Sequence, residues 1–258
     1  MVYLRSTLFQ ILFYTSTFLL MVLFSPALVL PRKWGWWVVP FWSRFNLVLL
    51  RLVVGLRVEV RGRENIPDGG YIVASKHQSA WETFALIREF PDPTYILKRE
   101  LRWIPIFGWY TAKFRQIPIN RGKRSAALVA LLASAKEAIA ENRQILIFPE
   151  GTRRPVGGEP KYKYGIAHLY RDLHCPVLPV ALNAGVFWPR ASWMVYPGKV
   201  IVEILPPIPP DIPADEFHRQ LVDTIEGASV RLCEEARQEK PLSPVLARLQ
   251  VKPASAGE

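Results

Sequence analysis

The chain has 258 residues and a mass of 29.5 kDa, long enough to bury a full core, most simply as one domain with an appendage. Lys and Arg number 33 against 22 Asp and Glu, a formal net charge of +11, which suits anionic partners such as nucleic acid, phosphorylated metabolites or an acidic membrane surface, unless the basic surface serves solubility alone. Cys175 and Cys233 lie far apart and form no CxxC pair, which argues against a disulfide framework or a structural zinc site and fits a reducing compartment.

Between Arg5 and Arg32 no charged residue occurs, and "LFQILFYTSTFLLMVLFSPALVL" is long enough to span a bilayer. A cleaved signal peptide is the competing reading, because "SPA" offers small residues. Its apolar region would be too long, and the residues after it are not those of a polar mature domain. Trp34, Trp36, Trp37 and Trp42 come next, a cluster suited to the headgroup level of a membrane. "SRFNLVLLRLVVGLRVEV" puts Arg44 and Arg51 on one helical face, the pattern of a helix lying in the interface or forming the second leg of a shallow hairpin. Residues 1–55 therefore read as membrane-anchoring helices. Arg32, Lys33, Arg44 and Arg51 outnumber Arg5, which places the rest of the chain on the cytoplasmic side.

From residue 56 short apolar runs alternate with helical patterns. "RVEVRG", "GYIVAS", "TYILK", "FRQIPIN", "QILIF", "PVLPVAL" and "KVIVEIL" are expected strands. "AWETFALIREF", "SAALVALLASAKEAIAEN", "YGIAHLYRDLH" and a final stretch from Asp215 to Gln238 are expected helices. This order predicts an α/β domain over 56–240, a layered, largely parallel or mixed sheet flanked by helices, followed by a flexible tail over 241–258. No internal repeat is present.

Three stretches carry candidate chemistry. In "VASKHQSAWETF" a strand leads into a loop holding Lys76, His77 and Gln78. Ser79 and Glu82 match an S-x-x-E capping box, so Glu82 has a purely local reason to be there. A His at the carboxyl end of a strand also sits where open α/β sheets bind ligands, and an acid in the next helical turn can hold one ring nitrogen and leave the other as a base. In "ILIFPEGTRR" a buried strand ends at Phe148, Pro149 stops pairing, and Glu150, Gly151, Thr152, Arg153 and Arg154 emerge. The glycine allows close backbone approach and arginine offers a fork for phosphate, although a polar loop with an ordinary ion pair would look the same. In "FRQIPINRGKR" a strand ends at Asn120 and Arg121 before a helix start, an anion-binding arrangement. Basic residues crowd the segment from Lys98 to Arg124 against the single acid Glu100, which would equally serve as a solvated or headgroup-binding face.

"KHQSAWE", "IPINR", "FPEGTRR" and "PVLPVALNAG" occur in this order, and together they resemble the four sequence blocks of the glycerolipid acyltransferases, specifically the bacterial 1-acylglycerol-3-phosphate O-acyltransferases. That family carries H-x-x-x-x-D in its first block. Here Glu82 stands at the acidic position, one methylene longer with its charge kept. The resemblance implies acyl transfer from acyl-CoA or acyl carrier protein to the sn-2 hydroxyl of lysophosphatidate, giving phosphatidate. It implies His77 as general base, with Glu82 holding and charging the imidazole. It implies Arg121 and Arg153 on the acceptor phosphate, with Glu150, Gly151 and Thr152 shaping that pocket and Lys163 and Gly165 adding to it. Phe148, Pro149, Val177 and Pro179 would build the pocket and acyl wall. No G-x-S-x-G nucleophile elbow occurs, in keeping with direct transfer. No metal or resident cofactor is expected, and His168 and His174 read as helix-surface residues. The expected partners are membrane lipids, lysophosphatidate and the acyl donor rather than nucleic acid, at the bacterial inner membrane with the catalytic domain in the cytoplasm. Two competitors stand beside this reading: transfer to another lysolipid, such as a lysophospholipid or lyso-ornithine lipid, and a non-enzymatic basic protein of the membrane surface.

Overall fold

The computed structural model describes residues 1–119, 124–239 and 242–249. The N-terminal part contains α1 (Val2–Leu23), the single turn α2 (Arg32–Gly35) and α3 (Val38–Val53). The sheet strands are β1 (Leu56–Arg61), β2 (Tyr71–Ser75), β3 (Pro93–Lys98), β4 (Ile117–Ile119), β5 (Gln144–Ile147), β6 (Val177–Leu182) and β7 (Gly198–Ile204). Between and after them lie α4 (Glu82–Ala85), α5 (Phe107–Lys113), α6 (Arg124–Ala140), α7 (Gly165–Leu173), α8 (Ala184–Phe187), α9 (Ala214–Arg237) and α10 (Pro244–Arg248).

The seven strands form one sheet in the order β1-β7-β6-β2-β5-β3-β4. All neighbours pair in parallel except β6 with β7. The expected mixed α/β layering is what forms. Strands β2, β5 and β6 are continuous apolar runs because helices cover both of their faces. Along β2, Tyr71 and Val73 enter the cluster beneath the N-terminal helices, while Ile72 and Ala74 enter the one beneath α6, α7 and α9. The chain leaves β2 for β3 on one side and later returns from β5 to β6 on the other, so the carboxyl end of β2 lies at the switch of direction.

Two expectations about the ends change. The helix expected over "AWETFALIREF" shortens to α4 followed by a 3₁₀ turn over Leu86–Glu89. Within 241–258, expected to be a flexible tail, Pro244–Arg248 form α10. Ser243 caps it through the Val245 N–H and also donates to the Val186 carbonyl at 2.6 Å, and Leu246 is buried. Residues 250–258 lie outside the described residues.

The N-terminal helices are packed onto the domain. Near its start α1 is tied to the segment before β7, where Ser6 Oγ exchanges hydrogen bonds with the Val195 carbonyl and N–H at 3.0 Å each. Near its end the Tyr110 hydroxyl of α5 donates to the Met21 carbonyl at 2.9 Å. Between these ties Phe9 is fully buried with its ring edge-on to Trp188, and Trp42 of α3 donates to Thr17. The outward face stays apolar and exposed, including Leu4, Leu8, Ile11, Phe18 and Leu19. A buried Phe truncated to Ala costs about 3 kcal/mol or more. Phe9→Ala is therefore expected to lower the stability of the whole detergent-solubilised protein by about that amount in a single unfolding transition. An unchanged transition would mean that α1 is an independent anchor.

Candidate active site

Strand periodicity carried past the end of β2 sends consecutive side chains to opposite faces of the sheet. Lys76 reaches Glu226 of α9, and His77 lines a cavity on the face of the N-terminal helices. The parallel neighbour β5 brings Phe148 to the same place, where its ring stacks on the imidazole with centroids 4.1 Å apart and planes within 17°.

The opening turn of α4 then fixes the imidazole. His77 Nδ1 lies 2.9 Å from Glu82 Oε1, and that same oxygen accepts the backbone N–H groups of Gln78 and Ser79 at 2.7 Å each. Ser79 Oγ accepts the Trp81 N–H at 3.1 Å, not the Glu82 N–H of a full capping box, so the Glu82 half of the box is the one that forms. Glu82 is fully buried and acceptor-only when ionised, so Nδ1 carries the proton of this bond and Nε2 is the nitrogen left to act on a substrate. Glu82 Oε2 and the Tyr95 hydroxyl find no partner among the described residues. Burial first, and the Glu82 charge second, push Tyr95 well above its usual pKa, so its hydroxyl keeps its proton.

The His77 backbone is held from the other side. Its N–H donates to Glu150 Oε1 at 2.8 Å, and its carbonyl accepts the Arg154 N–H at 2.7 Å. Glu150 was expected to shape the phosphate pocket. Instead it turns inward, with its second oxygen 3.4 Å from Lys76 Nζ. Burial pushes its carboxyl above the usual range, against the pull of Lys76 and of the His77 N–H.

The cavity has a volume of about 1000 Å³ and two unlike ends. Leu20 of α1, Phe24 just after it, Val39 of α3 and Phe114 after α5 line an apolar arm. Thr152, Arg153, Lys163 and Gly165 at the first turn of α7 line a polar arm, and His77, Phe148 and Pro149 line the same cavity. Among the described residues neither Arg153 nor Lys163 pairs with a carboxylate. Gly151 has φ +66°, and a Cβ there would lie 2.8 Å from Lys163 Cε, so the glycine is what lets the lysine cross this loop. His168, expected on the helix surface, also faces the cavity.

Val177 and Pro179, expected in the acyl wall, do not line the cavity. They lie in β6, on the side of β2 away from β5, fully enclosed between strands and helices. The end of that block acts as a support: the Gly185 N–H donates to Gln78 Oε1 at 3.1 Å, and buried Asn183 ties β7 to α9. Arg121 lies outside the described residues. Lys76, Tyr95, Tyr162 and Glu226 were not singled out from the sequence. A lysine directly after the mostly apolar run "YIVAS" was the available signal, because a charge there must find a partner.

The shared oxygen of Glu82 has a measurable consequence. Glu82→Gln keeps an acceptor for the Gln78 and Ser79 N–H groups, whereas Glu82→Ala leaves both buried donors unserved at about 1–3 kcal/mol each. Urea unfolding is expected to find the Ala variant less stable than the Gln variant by about 2 kcal/mol. Equal stabilities would remove the capping role.

Residues 57–183 match the family model described as Acyltransferase. The chain is 44% identical over 204 residues to a 1-acyl-sn-glycerol-3-phosphate acyltransferase of Pseudomonas aeruginosa, covering 78% of this chain and 79% of that protein. A 1-acyl-sn-glycerol-3-phosphate acyltransferase of Saccharomyces cerevisiae is 30% identical over 196 residues, 69% of this chain and 63% of that one. In fold the chain resembles the crystal structure of the 1-acyl-sn-glycerophosphate acyltransferase of Thermotoga maritima, with a TM-score of 0.74 at 24% identity, over 90% of this chain and 99% of that one.

Proposed function

This chain belongs to the 1-acyl-sn-glycerol-3-phosphate acyltransferase family, and on that premise we propose that His77 is its general base and Glu82 the group that orients it. The observation that carries this reading is the 2.9 Å contact between His77 Nδ1 and Glu82 Oε1, made by an imidazole that lines the cavity shared by the apolar and basic side chains. A lysophosphatidate has its phosphate and its acyl chain on either side of the free sn-2 hydroxyl. Phosphate against Arg153, Lys163 and the amino end of α7 puts that hydroxyl near the imidazole, with the chain in the apolar arm.

The donor is an acyl thioester, of CoA or of acyl carrier protein. His77 Nε2 takes the hydroxyl proton as the sn-2 oxygen attacks the thioester carbonyl carbon. The resulting imidazolium is stabilised by Glu82, in the manner of a triad without its serine. Collapse of the tetrahedral intermediate breaks the C–S bond, and the departing sulfur takes the proton from Nε2. Phosphatidate and the free thiol leave. Thr152 and Gly151 shape the loop beside the phosphate, and Phe148 holds the plane of the imidazole.

Helices α1 and α3 form a hairpin that rests in one leaflet. Ties to the domain at both ends of α1, the exposed apolar residues on its outer side and the nearby Trp34 and Trp37 support this placement over a span. The apolar arm reaches the same helices, so the lipid can enter sideways from the membrane. The bacterial inner membrane with the domain in the cytoplasm fits a soluble thioester donor and the basic residues Arg32, Lys33, Arg44 and Arg51.

His77→Ala is expected to lower kcat by about a thousandfold or more with membrane binding unchanged, assayed on lysophosphatidate with either thioester donor. Turnover within tenfold of the parent protein would sink the base assignment. Arg153→Ala is expected to raise KM for lysophosphatidate at least tenfold, about 1.4 kcal/mol, with a smaller effect on an uncharged acceptor. Equal losses on both acceptors would remove the phosphate role.

A further inference from the structure

Directly behind His77, on the opposite face of the sheet, lies a buried charge cluster that makes no contact with the cavity. Lys76 has a side-chain exposure of 4%. Its ammonium pairs with Glu226 of α9, lies 3.4 Å from Glu150 Oε2 and sits 5.7 Å from the centre of the Tyr162 ring. Tyr162 donates to Glu226 Oε1 at 2.8 Å. Glu150 is fully enclosed, and its other oxygen takes the His77 N–H.

We propose that Lys76 is a positioning residue for the acyl transfer, acting through Glu150 on the backbone of His77. The cluster pairs one ammonium with two carboxylates, of which Glu150 is fully enclosed and Glu226 keeps a side-chain exposure of 19%, so the enclosed charges persist through their partners. Without the ammonium, Glu150 and Glu226 stand as two like charges with no counter-ion between them, and burial already pushes the Glu150 carboxyl upward. A protonated Glu150 offers a weaker acceptor to the His77 N–H than a carboxylate or an amide oxygen does. The His77 backbone would then keep the Arg154 N–H on its carbonyl but lose the tie on its nitrogen.

The side-chain bond to Glu82 cannot replace that tie. It orients the ring relative to the start of α4, whereas Glu150 sets where the histidine main chain sits relative to β5. Both are needed to aim Nε2 at a hydroxyl oxygen, because a displacement of an ångström at the reacting atoms is enough to slow a reaction greatly. Lys76 and Glu150 do not line the cavity, so their loss leaves ground-state binding of lysophosphatidate largely intact.

This inference rests on His77 as the base, and the test separates the two claims. Steady-state kinetics on lysophosphatidate compare the parent protein with Lys76→Met, Lys76→Met with Glu150→Gln, and His77→Ala. Lys76→Met is expected to lower kcat at least tenfold with KM within threefold. Adding Glu150→Gln is expected to recover at least a third of the lost kcat, because a neutral amide oxygen accepts the His77 N–H without an ammonium beside it. If the Met variant does not accumulate, Lys76→Gln is read by the same criteria. A Lys76 variant with kcat within twofold of the parent overturns the proposal. So does a loss shared by kcat and KM, or one that Glu150→Gln does not relieve, since a packing defect would behave that way. Near-normal turnover by His77→Ala overturns the base assignment itself, whereas an inactive His77→Ala beside a normal Lys76→Met overturns only the present inference.

Discussion

One carboxylate oxygen organises the opening of this site. Glu82 Oε1 accepts from the imidazole of His77 and from the main-chain N–H groups of Gln78 and Ser79 within 2.9 Å. Charge-assisted bonds to backbone N–H groups are stronger than neutral ones, and here they also set the geometry of a third bond. The turn that starts α4 and the ring that faces the cavity are thus held by the same atom. Local capping and imidazole orientation, which look like rival explanations of an acidic residue at this spacing, are one arrangement.

That arrangement stands on the sheet. β2 and β5 run side by side in parallel, so the loops after them emerge together, and "KHQS" meets "FPEGTR" without any further device. Alternation along β2 then separates the two neighbours Lys76 and His77, one to the face covered by α9 and the other to the cavity. Glu150 bridges the two layers, with one oxygen on the His77 N–H and the other toward Lys76. Its burial explains why the motif carries an acid next to two arginines without presenting that acid to an anionic ligand.

The N-terminal helices supply part of the cavity wall. Leu20 comes from α1 and Phe24 from its carboxyl cap, and Phe9 and Ser6 fasten that helix to the domain. An amphiphile with a phosphate at one end and a hydrocarbon chain at the other matches a cavity whose two arms differ in the same sense. The hydrophobic outer surface of α1 is covered by no core among the described residues, the pattern of a helix suited to membrane association.

The sequence by itself determined the local patterns. Strand alternation, the apolar N-terminal run, the Ser79–Glu82 capping spacing and the ordered blocks around His77 and Arg153 depend on residues a few positions apart, whose contacts the backbone period dictates. The tertiary structure alone decided which way each block's polar groups face. It turned Glu150 inward to a lysine 74 positions away and brought Glu226 to Lys76 across 150 positions. It also put Val177 and Pro179 in a strand remote from the cavity they were expected to wall. Such partners are chosen by the order of strands in the sheet and the helix laid over each face. That order is set by burial summed over the whole chain, and no short stretch of sequence contains it.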